Sequence, residues 1–315
     1  MKTRYSRLTL AFLLLILVVP PVGADEHEDE WNQLNAKVIE NYQAGKYGVA
    51  TEIAIKQLAI AEKHLHEGRV AASLGNLALY YTKLGKYAEA EPLHKRSLAI
   101  NEKAFGPEHP TVAGDLSNLG SFYNEQQEYA KAEPLLKRAV AIEEKTLGPD
   151  AWLLAIGLNN LALSYDKQGK YAEAEPMYKR SLAIKEKILG PDHPHVASGL
   201  NNLGQLYREQ GKYDEAESLH KRANAAWEKV LGPEHPKLAI GLNNLAKLYR
   251  DQGKYAEAET LCLHSLAIKE KALGPDHPNI AYNLENLAEI YAKTDREAEA
   301  EKLEKRAAAI KAKPR

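Results

Sequence analysis

The sequence predicts an all-α solenoid of about seven antiparallel helix hairpins. Composition is the first reason. Ala, Leu, Glu and Lys dominate, β-branched residues are scarce, and the aromatics are 17 Tyr against 3 Phe and 3 Trp, a mixture that favours helix throughout. The second reason is a fixed period carried by two independent turn markers. "GKYAEAE" stands at Gly85, Gly169 and Gly253, "GKYDEAE" at Gly211, "QEYAKAE" at Gln127 and "GKYGVAT" at Gly45, with 42 residues between successive copies from Gly85 onward and 40 before it. "GPEHP" at Gly106 and Gly232, "GPDAW" at Gly148 and "GPDHP" at Gly190 and Gly274 keep the same frame. The third reason is that the stretches between markers carry apolar residues at helical spacing.

Residues 1–24 read as a secretory signal peptide. Lys2, Arg4 and Arg7 precede the apolar run Leu8 to Val19, and Val22 and Ala24 supply the small residues of a cleavage site. The run ends at Pro20, short of the ~20 residues a membrane span needs, so an uncleaved anchor is the lesser alternative. Cleavage leaves 39 basic against 43 acidic residues, a net charge of −4. Nothing in that balance recruits nucleic acid or an anionic membrane. Residues 25–30 read as an acidic linker, and 31–315 as the repeat array, in units of about 31–68, 69–110, 111–152, 153–194, 195–236, 237–278 and 279–315.

The fourth unit shows the pattern. Its first helix is predicted from Leu153 to Gln168, with Leu158, Leu161, Ala162 and Tyr165 forming one apolar stripe. Gly169 ends it with a left-handed cap. The second helix starts near Tyr171, carries Ala174, Tyr178, Ser181, Leu182 and Ile184 inward, and stops at Gly190-Pro191. Pro92, Pro134 and Pro176 fall about six residues into the second helices, where each predicts a bend or a late start that Ser218 and Thr260 do not.

Leu158, Leu161, Ala162, Tyr165, Gly169, Tyr171, Ala174, Tyr178 and Ser181 fall on the large, small and aromatic positions of the tetratricopeptide repeat (TPR). The 42-residue unit resembles the long-helix variety of kinesin light chains and their bacterial relatives. The resemblance implies a right-handed superhelix whose first helices line a concave groove. The ends depart from it: Ala36 replaces the usual Asn, Glu297 replaces the tyrosine, and the Glu/Lys/Ala-rich close suits a cap.

Candidates for chemistry are weak. His109, His193, His235 and His277 share one loop position, but equivalent side chains on helices ~8–10 Å apart cannot share a zinc that needs its ligands at ~2.0–2.1 Å. They are expected to bond nearby backbone carbonyls and help close the hairpins, with His193–His195 and His64–His66 as weak surface pairs. Cys262, the only cysteine, aligns with inward His94, Leu136, Tyr178 and His220, so it reads as a buried thiol. There is no phosphate-binding glycine loop. No catalytic residue, metal ligand or cofactor is assigned. The pairs Lys95-Arg96, Lys137-Arg138, Lys179-Arg180 and Lys221-Arg222 follow Glu91, Glu133, Glu175 and Glu217 at i+4 and read as intrahelical ion pairs.

One row resists a core assignment. The segments "LGNLA", "LSNLG", "LNNLA", "LNNLG", "LNNLA" and "LENLA" place Asn76, Asn118, Asn160, Asn202, Asn244 and Asn286 nearly opposite the apolar stripe at ~100° per residue. By the resemblance this face is the groove wall, and an amide can hold an extended peptide's backbone. The alternative is that each Asn bridges adjacent first helices, and one residue can do both. Leu163, Lys167, Gln205 and Lys247 sit in neighbouring rows that vary from unit to unit and would choose sequence. The carboxylate-clamp version of the family is unsupported, because Asn, Ser, Gly or Glu precedes the Asn instead of Lys. Trp152, in place of the loop proline, and Trp227, where other units carry Asn101, Glu143, Lys185 or Lys269, are possible surface anchors. The expected function is an exported, periplasmic or extracellular, non-enzymatic scaffold that binds a protein or peptide in the groove, with no nucleic-acid partner and no stable membrane span after cleavage. The competing reading is a structural subunit that self-associates through its convex face or ends.

Overall fold

The computed structural model describes residues 26–312, so the signal-peptide reading lies outside the described residues. Among the described residues there are fourteen helices and no strand. They fall into two compact units that divide at Gln168/Gly169. The first contains α1 (Glu26–Gln43), α2 (Tyr47–His64), α3 (Glu67–Lys83), α4 (Tyr87–Phe105), α5 (Pro110–Glu125), α6 (Tyr129–Leu147) and α7 (Trp152–Lys167). The second contains α8 (Tyr171–Leu189), α9 (Pro194–Glu209), α10 (Tyr213–Leu231), α11 (Pro236–Asp251), α12 (Tyr255–Leu273), α13 (Pro278–Ala292) and α14 (Glu297–Lys311). Odd-numbered helices are the first helices of the hairpins and even-numbered ones the second.

Within each unit every helix packs on its chain neighbours, and successive first helices also touch: α3 on α5, α5 on α7, α9 on α11, α11 on α13. The leucine that opens each "LxNL" segment is the centre of the joint. Leu74, Leu116, Leu158, Leu200 and Leu284 are wholly buried, each stabilising the fold by about 1.5–3 kcal/mol through removal from water. Four residues on, a small side chain admits the inward residue of the second helix. A Cβ at Gly120 would lie 2.5 Å from Leu136, and one at Gly204 3.1 Å from the His220 ring.

Two kinds of turn alternate. After α3, the N–H of Gly85 donates to Thr82 O at 3.0 Å and that of Lys86 to Tyr81 O at 2.8 Å, a Schellman closure with Gly85 at φ 71°. Gln127 and Asp295 fill the same place at φ 62° and 55°. After α4, Gly106 takes φ 83° and ψ 161°, a region that only glycine occupies without strain.

Several expectations are corrected. Residues 26–30 are not linker but the opening of α1, whose first turn holds Glu26, Glu28 and Asp29 because a helix N-terminus favours negative charge. Pro92, Pro134 and Pro176 do not delay their helices. α4, α6 and α8 begin at Tyr87, Tyr129 and Tyr171, equivalent to Tyr213 and Tyr255 of the proline-free α10 and α12, and all five are 19 residues long. Only the bond to the helix's second carbonyl is lost at each proline, and Ala90, Ala132 and Ala174, wholly buried just before it, hold the first turn by packing.

The histidines also act differently from expectation. In His109, His193, His235 and His277 the ring Nδ1 accepts the backbone N–H two residues on, at 3.2, 3.1, 3.1 and 3.2 Å. Each is the N-cap of a first helix with proline at its first position. A carbonyl is not the partner, because the free groups at a helix start are N–H donors. Where Ala151 and Trp152 replace His and Pro, α7 starts without a side-chain cap.

Candidate functional site: the outer face of the first helices

The asparagine row is not one uniform wall. In the first unit Asn76 is 8 % exposed and donates to Asn35 Oδ1 at 3.3 Å, joining α3 to α1. Asn160 donates to Ser121 Oγ at 2.8 Å, and its backbone carbonyl accepts Asn124 Nδ2 at 2.9 Å, joining α7 to α5. In the second unit Asn244 donates to Asn201 Oδ1 at 3.0 Å. Asn286, 2 % exposed, donates to Asn243 Oδ1 at 3.2 Å and to Cys262 Sγ at 3.0 Å, and accepts from Arg250 Nη1 at 2.8 Å. Asn202 is half-buried on α9 and Asn118 is exposed on α5.

At least four of the six amides, Asn76, Asn160, Asn244 and Asn286, therefore bridge adjacent first helices. Burial removes Asn76 and Asn286 from any ligand surface, which corrects their assignment as groove contacts. The physical reason is that helices packed this closely need a partner for each polar group trapped between them, and an asparagine or serine of the preceding first helix supplies it. The acceptor in the second unit is the first asparagine of the preceding "LNN", 43 residues back: Asn201 for Asn244, Asn243 for Asn286. For Asn118 that place is Gly75, which has no side chain, and Asn118 stays in water.

What remains accessible is the variable rows. Leu163 is half-buried, and Lys167 is exposed with Asp166 at 3.1 Å. Gln205 is half-buried and donates to Glu209 at 2.9 Å. Lys247 is half-buried and makes no hydrogen bond or ion pair among the described residues. Burial first, then the nearby Arg208 and Arg250 guanidiniums, hold its ammonium pKa below the ordinary lysine value.

Both arginines are tied down. Arg208 reaches Asp251 at 2.5 Å and Glu209 at 3.0 Å, while Arg250 pairs with Glu289 and meets Asp251 at 3.0 Å. Lys83–Glu125 at 2.5 Å is the matching bridge in the first unit. Beside this chain of charges lies a depression of about 380 Å³ lined by Arg250, Asp251, Tyr255, Glu289, Ala292 and Lys293. These bridges between repeats escape a composition-based reading. Part of their signal is present in the opposite signs of Lys83 and Glu125, 42 residues apart, and in the adjacent Arg208-Glu209 and Arg250-Asp251 one repeat apart.

The remaining candidates are settled by burial. Trp227 is 3 % exposed, with Nε1 donating to Pro194 O at 3.2 Å, so it is not a surface anchor. It lies so close to Gly241 that a Cβ there would meet the indole at 2.6 Å. Trp152 is half-buried at the first position of α7. Cys262 is wholly buried and its thiol is pushed up to about 12 by burial, which leaves negligible thiolate at neutral pH.

The expected Lys–Glu pairs form, at 2.6 Å (Lys95–Glu91), 2.5 Å (Lys137–Glu133), 2.7 Å (Lys179–Glu175) and 2.6 Å (Lys221–Glu217). The adjacent arginines do something the sequence reading misses. Arg96, Arg138 and Arg222 cross to Glu62, Glu102 and Glu186 of the preceding second helix at 2.5–2.6 Å. Such exposed pairs add little each but fix the stacking register.

The repeat geometry agrees with the sequence comparisons. The tetratricopeptide repeat model matches residues 38–103, 69–142, 113–187, 153–225, 195–260 and 237–313. The chain belongs to the tetratricopeptide repeat family. Among solved structures it is similar to a Podosopora anserina protein assigned as a kinesin light chain with nearly identical TPR-like repeats (29 % identity, 66 % of this chain and 98 % of that one, TM-score 0.56). It is also similar to BtubC (BKLC) of P. vanneervenii (22 % identity, 74 % and 93 %, TM-score 0.55) and to a Rap protein complexed with Competence and Sporulation Factor (17 % identity, 90 % and 75 %, TM-score 0.66). The last two likenesses are of fold. A search among curated proteins finds no match.

Proposed function

We propose that the chain is an exported, non-enzymatic scaffold that binds a peptide or protein segment on the outer face of its first helices, in the periplasm or outside the cell. The observation that carries this reading is the row Gln205, Lys247 and Glu289 on α9, α11 and α13. It lies off the core, changes in character at every repeat, and includes a cation, Lys247, that forms no ion pair among the described residues. The bridging asparagines support it indirectly by fixing the spacing of the helices that present the row. The solved Rap protein that holds Competence and Sporulation Factor has the same kind of fold, which is compatible with a segment binding such repeats. The buried thiol of Cys262 and the absence of any group of three or more possible metal ligands among the described residues give no support to an enzymatic reading.

The test is capture from the cell-envelope fraction with the wild-type chain, Lys247→Glu, and Lys302→Glu as a surface control on α14. Loss of a partner with Lys247→Glu but not with Lys302→Glu supports the proposal. Equal recovery with both, at equal melting temperature, overturns it. Light scattering addresses the self-association reading, which requires a stable oligomer at micromolar concentration.

A further inference from the structure

The joint between α6 and α7 encloses a carboxyl group that nothing balances. Position 143 belongs to a row spaced by 42 residues on the second helices, in which Asn101, Trp227 and Lys269 have partners, while Lys185 is buried without a hydrogen bond among the described residues. Asn101 Nδ2 donates to Asp115 Oδ2 at 2.6 Å. Trp227 bonds Pro194 O at 3.2 Å, and Lys269 bonds Asn283 Oδ1 and Asn279 O.

Glu143 is 3 % exposed. Among the described residues its Oε1 has only the Ser117 hydroxyl at 3.5 Å, the outer limit of a hydrogen bond, and its Oε2 is buried with no donor. Gly157 on α7 makes room for it. A Cβ there would lie 2.5 Å from Oε2 and 3.2 Å from Val140, so the carboxyl sits directly against the α7 backbone. The charged residues of the surrounding helices are Asp115 and Glu125 on α5, Lys131, Glu133, Lys137, Arg138, Glu144 and Lys145 on α6, and Asp166 and Lys167 on α7. None of them acts on Glu143, whose acidity is set by burial and, in the opposite sense, by Ser117.

We propose that this joint is a proton-dependent clasp: with Glu143 neutral, α7 closes on α6, and loss of the proton places an unpaired anion in an apolar joint and loosens α7 from the α5–α6 hairpin. A buried carboxylate without a donor costs far more than the neutral acid. Burial raises the Glu143 carboxyl to about 7, above its unfolded value of about 4.3. The folded state holds the extra proton, so this contribution is complete below about pH 4.3 and is lost as pH rises through about 7.

The test is hydrogen exchange of the full chain between pH 5.5 and 8.5, corrected for the intrinsic rate, together with ¹³C NMR of the Glu143 carboxyl. Protection of residues 152–167 is expected to fall about tenfold or more across that range in the wild type, and the carboxyl carbon to titrate near neutrality. Glu143→Gln, nearly isosteric, is expected to abolish the fall. Glu143→Leu removes both oxygens and serves if the amide itself perturbs the joint. Flat protection in the wild type, an unchanged pH dependence in both variants, or a carboxyl that titrates in the ordinary glutamate range overturns the proposal.

Discussion

Alanine at two members of the asparagine row separates bridging from ligand binding. Asn286→Ala removes a donor to Asn243 Oδ1, a donor to the Cys262 sulfur and an acceptor for Arg250. Arg250 keeps Glu289 and Asp251, but Asn243 Oδ1 is left with only the weak thiol contact at 3.9 Å. Losing one neutral bond and one bond to a charged group, with an acceptor stranded, costs about 2.5–3.5 kcal/mol. Better helix propensity returns about 0.5 kcal/mol. The net loss is about 2–3 kcal/mol, or about 4–6 °C for a chain of this size.

Asn118→Ala, at the equivalent exposed position with Gly75 in place of an acceptor, is expected to change stability by no more than about 0.5 kcal/mol in either direction. Urea unfolding of both variants, with hydrogen exchange across residues 278–292, reads the difference. Equal losses at the two sites, or a neutral Asn286→Ala, would refute the bridging argument. A ligand bound by the row would instead lose affinity in the exposed Asn118→Ala.

Two further outcomes follow from turn and core chemistry. Gln127→Gly is expected to raise stability by about 0.5–1 kcal/mol, because a left-handed residue with a side chain costs about 1–2 kcal/mol and glycine's greater unfolded-state entropy takes back part of that gain; thermal melting of the variant against the wild type measures it. His220 is wholly buried and pushed down to about 4 by burial, with Arg208 adding to the shift. Its folded value lies below the unfolded one of about 6.5, so the stability it contributes is full above about pH 6.5 and is lost as pH falls through about 4. His220→Leu is expected to move the acid-unfolding midpoint to lower pH in a fluorescence titration, and an unmoved midpoint would contradict the assignment.

The repeats are legible in the sequence because their causes are local. Leu158, Leu161, Ala162 and Tyr165 share one face at helical spacing whatever surrounds them, and all four are buried. Gly85 and Gly106 mark their turns because the backbone there takes positive φ. Even the burial of Cys262 follows from alignment with its repeat-mates. Trp227 shows where such reasoning stops. Its place in the row is visible, but its burial depends on Gly241 of the next first helix, and only the packed joint reveals that an indole fits there.

The same division runs through the functional face. The sequence by itself determined the hairpins, their frame and the set of residues off the apolar stripe, since periodicity and turn stereochemistry act over a few residues. Tertiary structure alone decided which of those residues meet water. Asn76, Asn160, Asn244 and Asn286 are held between helices because close packing leaves each amide in reach of a side chain some 40 residues away. Lys247 forms no ion pair among the described residues, because Arg208 and Arg250 hold Asp251 and Glu289. Glu143 is sealed in its joint because Gly157 admits it. Hydrogen-bond competition and desolvation act between chain segments brought together by folding, and a sequence contains the groups without the distances.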